Sequence, residues 1–318
     1  MVKIAFYSDG LDVRGTCTAM YDYAHYNEIL LKNESIIITQ KNNSYNNEIA
    51  IEKFKKRFKL FFYDIIEEIQ DFISDCDIIY YIKYGKNDHF LPKNIKIVIH
   101  CVFDMTDPHG DVYAAVSETL ARKFNKTLFV PHMIGLLPSI NKNDNLRKSL
   151  NIPEDAIVFG RHGGQDTFNL QFTKDVINNI VENNPKLYFL FVNTPKFGHH
   201  HHLIFLDKII TYDEKNKFIN TCDAHLECGN LGHTFGLSIG EFSVNNKPII
   251  SYGGPTWNNA HKDILKDKGI YFYNNIDFYN ILTTFNPEEY KNKDLNCYKD
   301  YSPEKVMKIF KEIFIDNL

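Results

Sequence analysis

The sequence predicts an α/β protein made of two parallel-sheet units, and three observations carry that expectation. Short β-branched and aromatic runs alternate with helix-length amphipathic stretches along almost the whole chain, the pattern of strands covered by helices on both faces. The length of 318 residues is twice a common domain of ~150 residues. The segment Val130 to Pro138, with two prolines and a glycine, runs into a polar Asn/Lys stretch and reads as a connector.

In the first unit, residues 1–135, the strand candidates are Lys3 to Ser8, Ser35 to Thr39, Ile78 to Ile82, Lys96 to Val102, Val112 to Val116 and Thr127 to Val130. Helical stretches lie at Thr16 to Leu31, Glu48 to Phe58, Tyr63 to Ser74 and Glu118 to Phe124. The second unit, 136–302, repeats the alternation with strands at Ala156 to Gly160, Leu187 to Asn193, Leu203 to Leu206, Ala224 to Glu227, Pro248 to Ser251 and Ile270 to Tyr273. Helices at Asn169 to Glu182, Glu214 to Thr221, Thr234 to Val244 and Asn259 to Lys266 separate most of them. In the final stretch, 303–318, Val306, Phe310 and Ile313 fall on one helical face, so this helix is expected to pack back on the first unit. Two such units side by side imply a cleft at the carboxyl ends of both sets of strands.

Composition narrows the function classes. With 44% hydrophobic and 24% charged residues the chain is ordinary globular material. Thirty-six Lys and Arg against 40 Asp and Glu leave a net charge of −4, and no field to hold a nucleic-acid backbone. Six cysteines without a C-x-x-C pair suggest neither a disulfide framework nor a zinc ribbon, and fit a reduced cytoplasmic setting. No run approaches the ~18 apolar residues of a membrane span, and the apolar start is too short for a signal peptide.

Two segments carry candidate chemistry. Cys222 to Phe242 takes a strand into a glycine-rich turn and then a helix, the arrangement that offers free backbone N–H groups to phosphate. Gly229, Gly232 and Gly236 also permit a nicotinamide-dinucleotide reading, but Ile249-Ile250-Ser251-Tyr252 ends without the acidic residue that would hold the ribose. The second segment, Ile157 to Asp166, ends a strand at Gly160-Arg161 and continues through Gly163 and Gly164.

The stretch Thr234-Phe235-Gly236-Leu237, then Glu241, then Pro248-Ile249-Ile250 resembles the C-terminal signature of group 1 (family 4) glycosyltransferases. The resemblance implies a GT-B fold, two Rossmann-like domains facing a central cleft, and metal-independent transfer with retention from a nucleoside-diphosphate sugar. The acceptor would be a glycan, a lipid-linked or a small molecule, and no further cofactor is implied. Glu241 would bond the ribose hydroxyls, while amides around Thr234, Phe235, Gly236 and Leu237 would meet the diphosphate with Arg161, Gly163 and Gly164. Arg14 and Gly15, between the first strand and first helix, match the family's cleft-floor loop and would bind the donor, and His100, at a strand end, matches its sugar-touching histidine.

This chain departs from the family at two positions. The family's first Glu of the E-x7-E pair falls on His233, and its diphosphate-binding Lys falls on Asp166. These departures keep a non-catalytic nucleotide-sugar-binding protein as the alternative, and they make His233→Glu a variant expected to raise or redirect transfer. His199 to His202 is read as a solvated loop, since alternate side chains of an extended run point to opposite faces. Asp75-Cys76-Asp77 is assigned no metal.

Overall fold

A computed structural model describes residues 1–87, 91–209 and 211–316. The chain divides into two compact units, Met1–Gly135 with the segment from Asp300 onward, and Leu136–Lys299.

The first unit runs β1 (Lys3–Ser8), α1 (Gly15–Ile29), β2 (Glu34–Gln40), α2 (Glu48–Lys55), β3 (Lys59–Tyr63), α3 (Ile69–Phe72), β4 (Ile78–Lys83), β5 (Lys96–Cys101), β6 (Val112–Ala115) and α4 (Glu118–Lys123). Its strands form one parallel sheet in the order β3-β2-β1-β4-β5-β6. The chain therefore builds outward from β1 to one side and resumes at β4 on the other, which creates a switch point between them.

Two expectations fail here. Tyr63 closes strand β3 instead of opening a helix, and the helical stretch starts later, as a 3-10 turn over Ile66–Glu68 that runs into the short α3. Thr127 to Val130 yields a single bridge, Ala115 to Phe129; Pro131 follows at once and has no N–H to extend a ladder. Ser117 is the N-cap of α4, its hydroxyl accepting from the Leu120 N–H at 3.2 Å. Ser117→Ala is expected to cost about 1 kcal/mol of stability, read from the urea midpoint with nucleotide affinity unchanged.

The second unit runs β7 (Ile157–Arg161), α5 (Gln171–Asn183), β8 (Leu187–Val192), β9 (Leu203–Leu206), α6 (Tyr212–Thr221), β10 (Ala224–Glu227), β11 (Gly232–His233), α7 (Leu237–Val244), β12 (Ile249–Tyr252), β13 (Asn258–Asn259), α8 (Ala260–Leu265), β14 (Ile270–Phe272) and α9 (Asn275–Thr284). Its main sheet is parallel with order β14-β12-β10-β7-β8-β9, and β11 pairs separately with β13. Phe159, Phe189, Phe191, Leu226, Ile250 and Phe272 fill its core.

The chain then returns to the first unit as α10 (Pro303–Phe310), wound wider through Lys311–Asp316. Phe310 stacks on Tyr23 at 5.3 Å between ring centres, and Phe314 meets His100 at 5.2 Å. Phe310 belongs to the apolar face seen in sequence, whereas Phe314 is buried in place of the expected Ile313, which is half-buried; burial of the two rings docks the segment. Residues 317 and 318 of the expected 303–318 helix lie outside the described residues.

Candidate functional site

In the second sheet the chain starts at β7, moves outward through β8 and β9, and restarts on the other side at β10. Ligands of open α/β sheets bind at the carboxyl ends of strands flanking such a reversal. There β7 ends on Arg161 and β10 on Glu227.

Glu241, on α7, is almost fully buried. Its Oε1 lies 2.5 Å from Lys215 Nζ on α6, and its Oε2 lies 3.1 Å from His162 Nε2 just past β7. Burial pushes the Glu241 carboxyl up, but Lys215 and His162 together outweigh it and hold the group at about 2. The Lys215 ammonium donates to Oε1, while the His162 contact is one of distance and charge without an aligned hydrogen bond; a buried carboxylate beside such a cation stays ionised.

His233 sits beside a turn that only glycine can make. Gly232 has φ of +65°, and a Cβ there would lie 1.8 Å from the Asn258 carbonyl oxygen. His233 Nε2 approaches Glu227 Oε2 to 2.9 Å, and its ring meets His261 edge-on at 5.2 Å. Burial raises the Glu227 carboxyl, and the imidazoles of His233 and His225 with Arg161 more than reverse this, bringing it to about 2.

Thr234 and Phe235 are buried ahead of the helix, and the Phe235 carbonyl accepts from the Tyr298 hydroxyl at 2.9 Å. Gly236, with φ of +91°, turns the chain into α7. The helix thus begins at Leu237, three residues later than the expected Thr234. Its first helical bond runs from the Gly240 N–H to the Gly236 carbonyl, which leaves the amides of Leu237, Ser238 and Ile239 without helical acceptors.

Arg161 departs from its expected role. It is 1% exposed; NH1 donates to Thr194 Oγ1 at 2.6 Å, and NH2 donates to the Gly164 carbonyl at 2.6 Å and Thr167 Oγ1 at 2.5 Å. Its fork is spent on tying the 163–167 turn to the end of β8. Asp166, at the family's Lys position, is exposed on this turn.

His100 is also a correction. It is wholly buried in the first unit, with Nδ1 2.6 Å from the Tyr80 hydroxyl and Nε2 2.8 Å from the Val130 carbonyl oxygen. Nε2–H donates and Nδ1 accepts, so neither nitrogen is left for a sugar; burial holds the imidazole neutral, at about 4. Arg14 and Gly15 do stand at the carboxyl end of β1, beside the first sheet's switch point. Arg14 holds the N-cap position of α1 without a side-chain capping bond; its guanidinium pairs with Asp12 at 3.4 Å and lies 4.6 Å from the centre of the Tyr45 ring, and Gly15 is the first helical residue.

Sequence reasoning missed Glu227, Lys215 and His162. A signal existed for Glu227: a carboxylate inside the strand Ala224-His225-Leu226-Glu227 is costly unless a partner meets it. His202 of the histidine run is buried against Tyr188, with ring centres 4.0 Å apart, and is not solvated as expected. Among the described residues no group of three or more His, Cys, Asp or Glu is placed to hold a metal ion, and no helix is long and apolar enough to cross a membrane.

No protein-family model matches the sequence, and no curated protein matches it. Solved structures match the backbone. The Anabaena protein HepE, in complex with UDP-glucose, has a TM-score of 0.73 over 98% of both chains at 13% identity. The chain has the GT-B fold. A glycosyltransferase from Rickettsia africae ESF-5 gives 0.67 over 99% of both chains at 11% identity. WaaG, a glycosyltransferase involved in lipopolysaccharide biosynthesis, gives 0.66 at 10% identity, over 98% of this chain and 100% of its own. What this GT-B chain shares with them is the course of the backbone.

The paired carboxylates make the fold sensitive to acid. Glu227 and Glu241 are brought from an ordinary 4.5 to about 2 in the folded chain, so the unfolded chain takes up their protons first as pH falls. The stability they contribute is complete above about 4.5 and lost toward about 2. Urea midpoints are expected to drop across that window, and less steeply in Glu241→Gln; equal slopes would refute the assignment.

Proposed function

We propose that this protein transfers a sugar from a nucleoside-diphosphate sugar to an acceptor hydroxyl, with retention of configuration and without a metal requirement. The observation that carries the reading is Glu241: an almost fully buried carboxylate that accepts from the Lys215 ammonium and has His162 3.1 Å from its other oxygen, at the switch point of the second sheet. A fixed carboxylate beside free helix-start amides suits a ribose on one side and a diphosphate on the other.

In this reading Glu241 accepts from the ribose hydroxyls. The amides of Leu237, Ser238 and Ile239 and of the Gly163–Gly164 turn receive the diphosphate, while Arg161 strengthens the positive field from below. Thr234, Phe235 and Gly236 shape the entry to α7, and His233 faces the transferred sugar. Arg14 and Gly15, at the carboxyl end of β1, belong in this reading to donor binding. As the bond from the anomeric carbon to the diphosphate breaks, negative charge grows on the leaving oxygen, and these preorganised donors stabilise it. The acceptor hydroxyl attacks from the same face and loses its proton to that oxygen.

His233 and Asp166, standing where relatives of this motif carry Glu and Lys, favour one second reading: a protein that binds nucleotide sugars without transferring them. Calorimetry with UDP, UDP-glucose and other nucleoside-diphosphate sugars tests binding, and release of free diphosphate nucleotide from a bound donor tests chemistry. Binding without any release or transfer selects the second reading, and no binding by any donor rejects both.

A further inference from the structure

We propose that Glu227 is a positioning residue for His233, so that the carboxylate absent from position 233 acts from the strand behind it. The ligand side of this inference rests on the glycosyl-transfer reading; the pair itself does not.

Glu227 closes β10 with 3% of its surface exposed. Gly229 lets its carboxylate sit where it does, since a Cβ there would lie 3.0 Å from its Oε1 and 2.6 Å from the Thr167 carbonyl oxygen. Its Oε2 is 2.9 Å from His233 Nε2, while the other imidazole on the same strand face, His225, has its Nε2 3.9 Å away. The approach is an ion-pair contact without the alignment of a hydrogen bond; a carboxylate this close still favours the tautomer that carries the proton on the facing nitrogen, because an ionised carboxylate can only accept.

That commitment decides what His233 can do elsewhere. With the proton drawn to Nε2 by the facing Glu227 carboxylate, the neutral tautomer keeps Nδ1 as a lone-pair acceptor, and an acceptor for a hydroxyl is what a glutamate oxygen supplies. The edge-on His261 ring limits rotation of the imidazole, and the Gly232 turn sets its position. Glu227 thus fixes the tautomer and angle of His233 from a site that touches no ligand, as carboxylates behind functional histidines do elsewhere.

The test uses the full chain with ¹⁵N-labelled histidine, and Glu227→Gln and Glu227→Asp beside the wild type. In spectra without ligand, His233 is expected to show Nε2 protonated in the wild type, with altered ring-nitrogen shifts in Glu227→Gln. In calorimetry, UDP affinity is expected to change less than twofold in Glu227→Gln, while the added affinity of UDP-glucose over UDP falls about tenfold; Glu227→Asp should lie between. If Glu227→Gln fails to fold, the same comparison is made on Glu227→Asp. Unchanged His233 nitrogens overturn the pair, and equal losses for UDP and UDP-glucose make Glu227 structural. A wild type that binds neither ligand overturns the glycosyl-transfer reading, and the nitrogen spectra still decide whether Glu227 sets His233.

Discussion

Glu241→Gln is expected to lose nucleotide-sugar affinity by about 1–3 kcal/mol, through loss of a charged acceptor for the ribose hydroxyls. It is also expected to destabilise the fold by about 3–5 kcal/mol, because it breaks a buried ion pair and leaves one charge behind. The two effects have separate origins. The first belongs to the ligand; the second belongs to Lys215, whose side chain is only 12% exposed and whose ammonium would face a neutral amide. Lys215→Met with Glu241→Gln removes both charges and should recover much of the stability while leaving affinity low. Calorimetry with UDP and urea denaturation of both variants separate the effects. Unchanged UDP affinity in Glu241→Gln would remove the ribose role.

The sheets were legible where strands are apolar on both faces. Ile36-Ile37-Ile38, Ile78 to Tyr81 and Ile97 to Cys101 are continuous buried runs, as central parallel strands demand. The edge strand β3 was not, because Lys59-Leu60-Phe61-Phe62 is only partly buried and follows the charged end of α2, which hides its period. Helix α9 was missed although Asn274 accepts from the Asp277 N–H and Phe278 and Leu282 share its buried face, a cap and an i, i+4 pair readable in retrospect.

The candidate site divides in the same way. Glu241 was legible because its spacing from the glycine turn is local. Lys215 and His162 were not, being 26 and 79 positions away in sequence and joined to Glu241 only through the packing of α6, α7 and β7. Arg161 and His100 illustrate the converse: strand-end position is readable, but whether a side chain turns outward depends on partners such as Thr194 and Tyr80.

His233→Glu is expected to cost stability on the same scale, and its direction is opposite to what the motif alone suggests. Restoring the family residue looks like a gain, yet the new carboxylate would enter beside Glu227, where His233 Nε2 now stands 2.9 Å from Oε2. Two unit charges ~4 Å apart repel by about 4 kcal/mol at the effective dielectric of a protein surface, and Glu227 is nearly without solvent to relieve it. The single variant is therefore expected to lose about 3–5 kcal/mol of stability, and to lose donor affinity and turnover with it as the 229–233 turn is pushed off β10. Exchanging the pair, Glu227→His with His233→Glu, restores opposite partners and places a carboxylate at 233, so most of the stability and the sugar-dependent affinity should return. Urea midpoints, calorimetry with UDP-glucose and donor turnover on the two singles and the double complete the cycle. A His233→Glu protein as stable as the wild type and faster in transfer would show that Glu227 does not act on position 233, since the cost predicted for the single variant comes from that carboxylate alone.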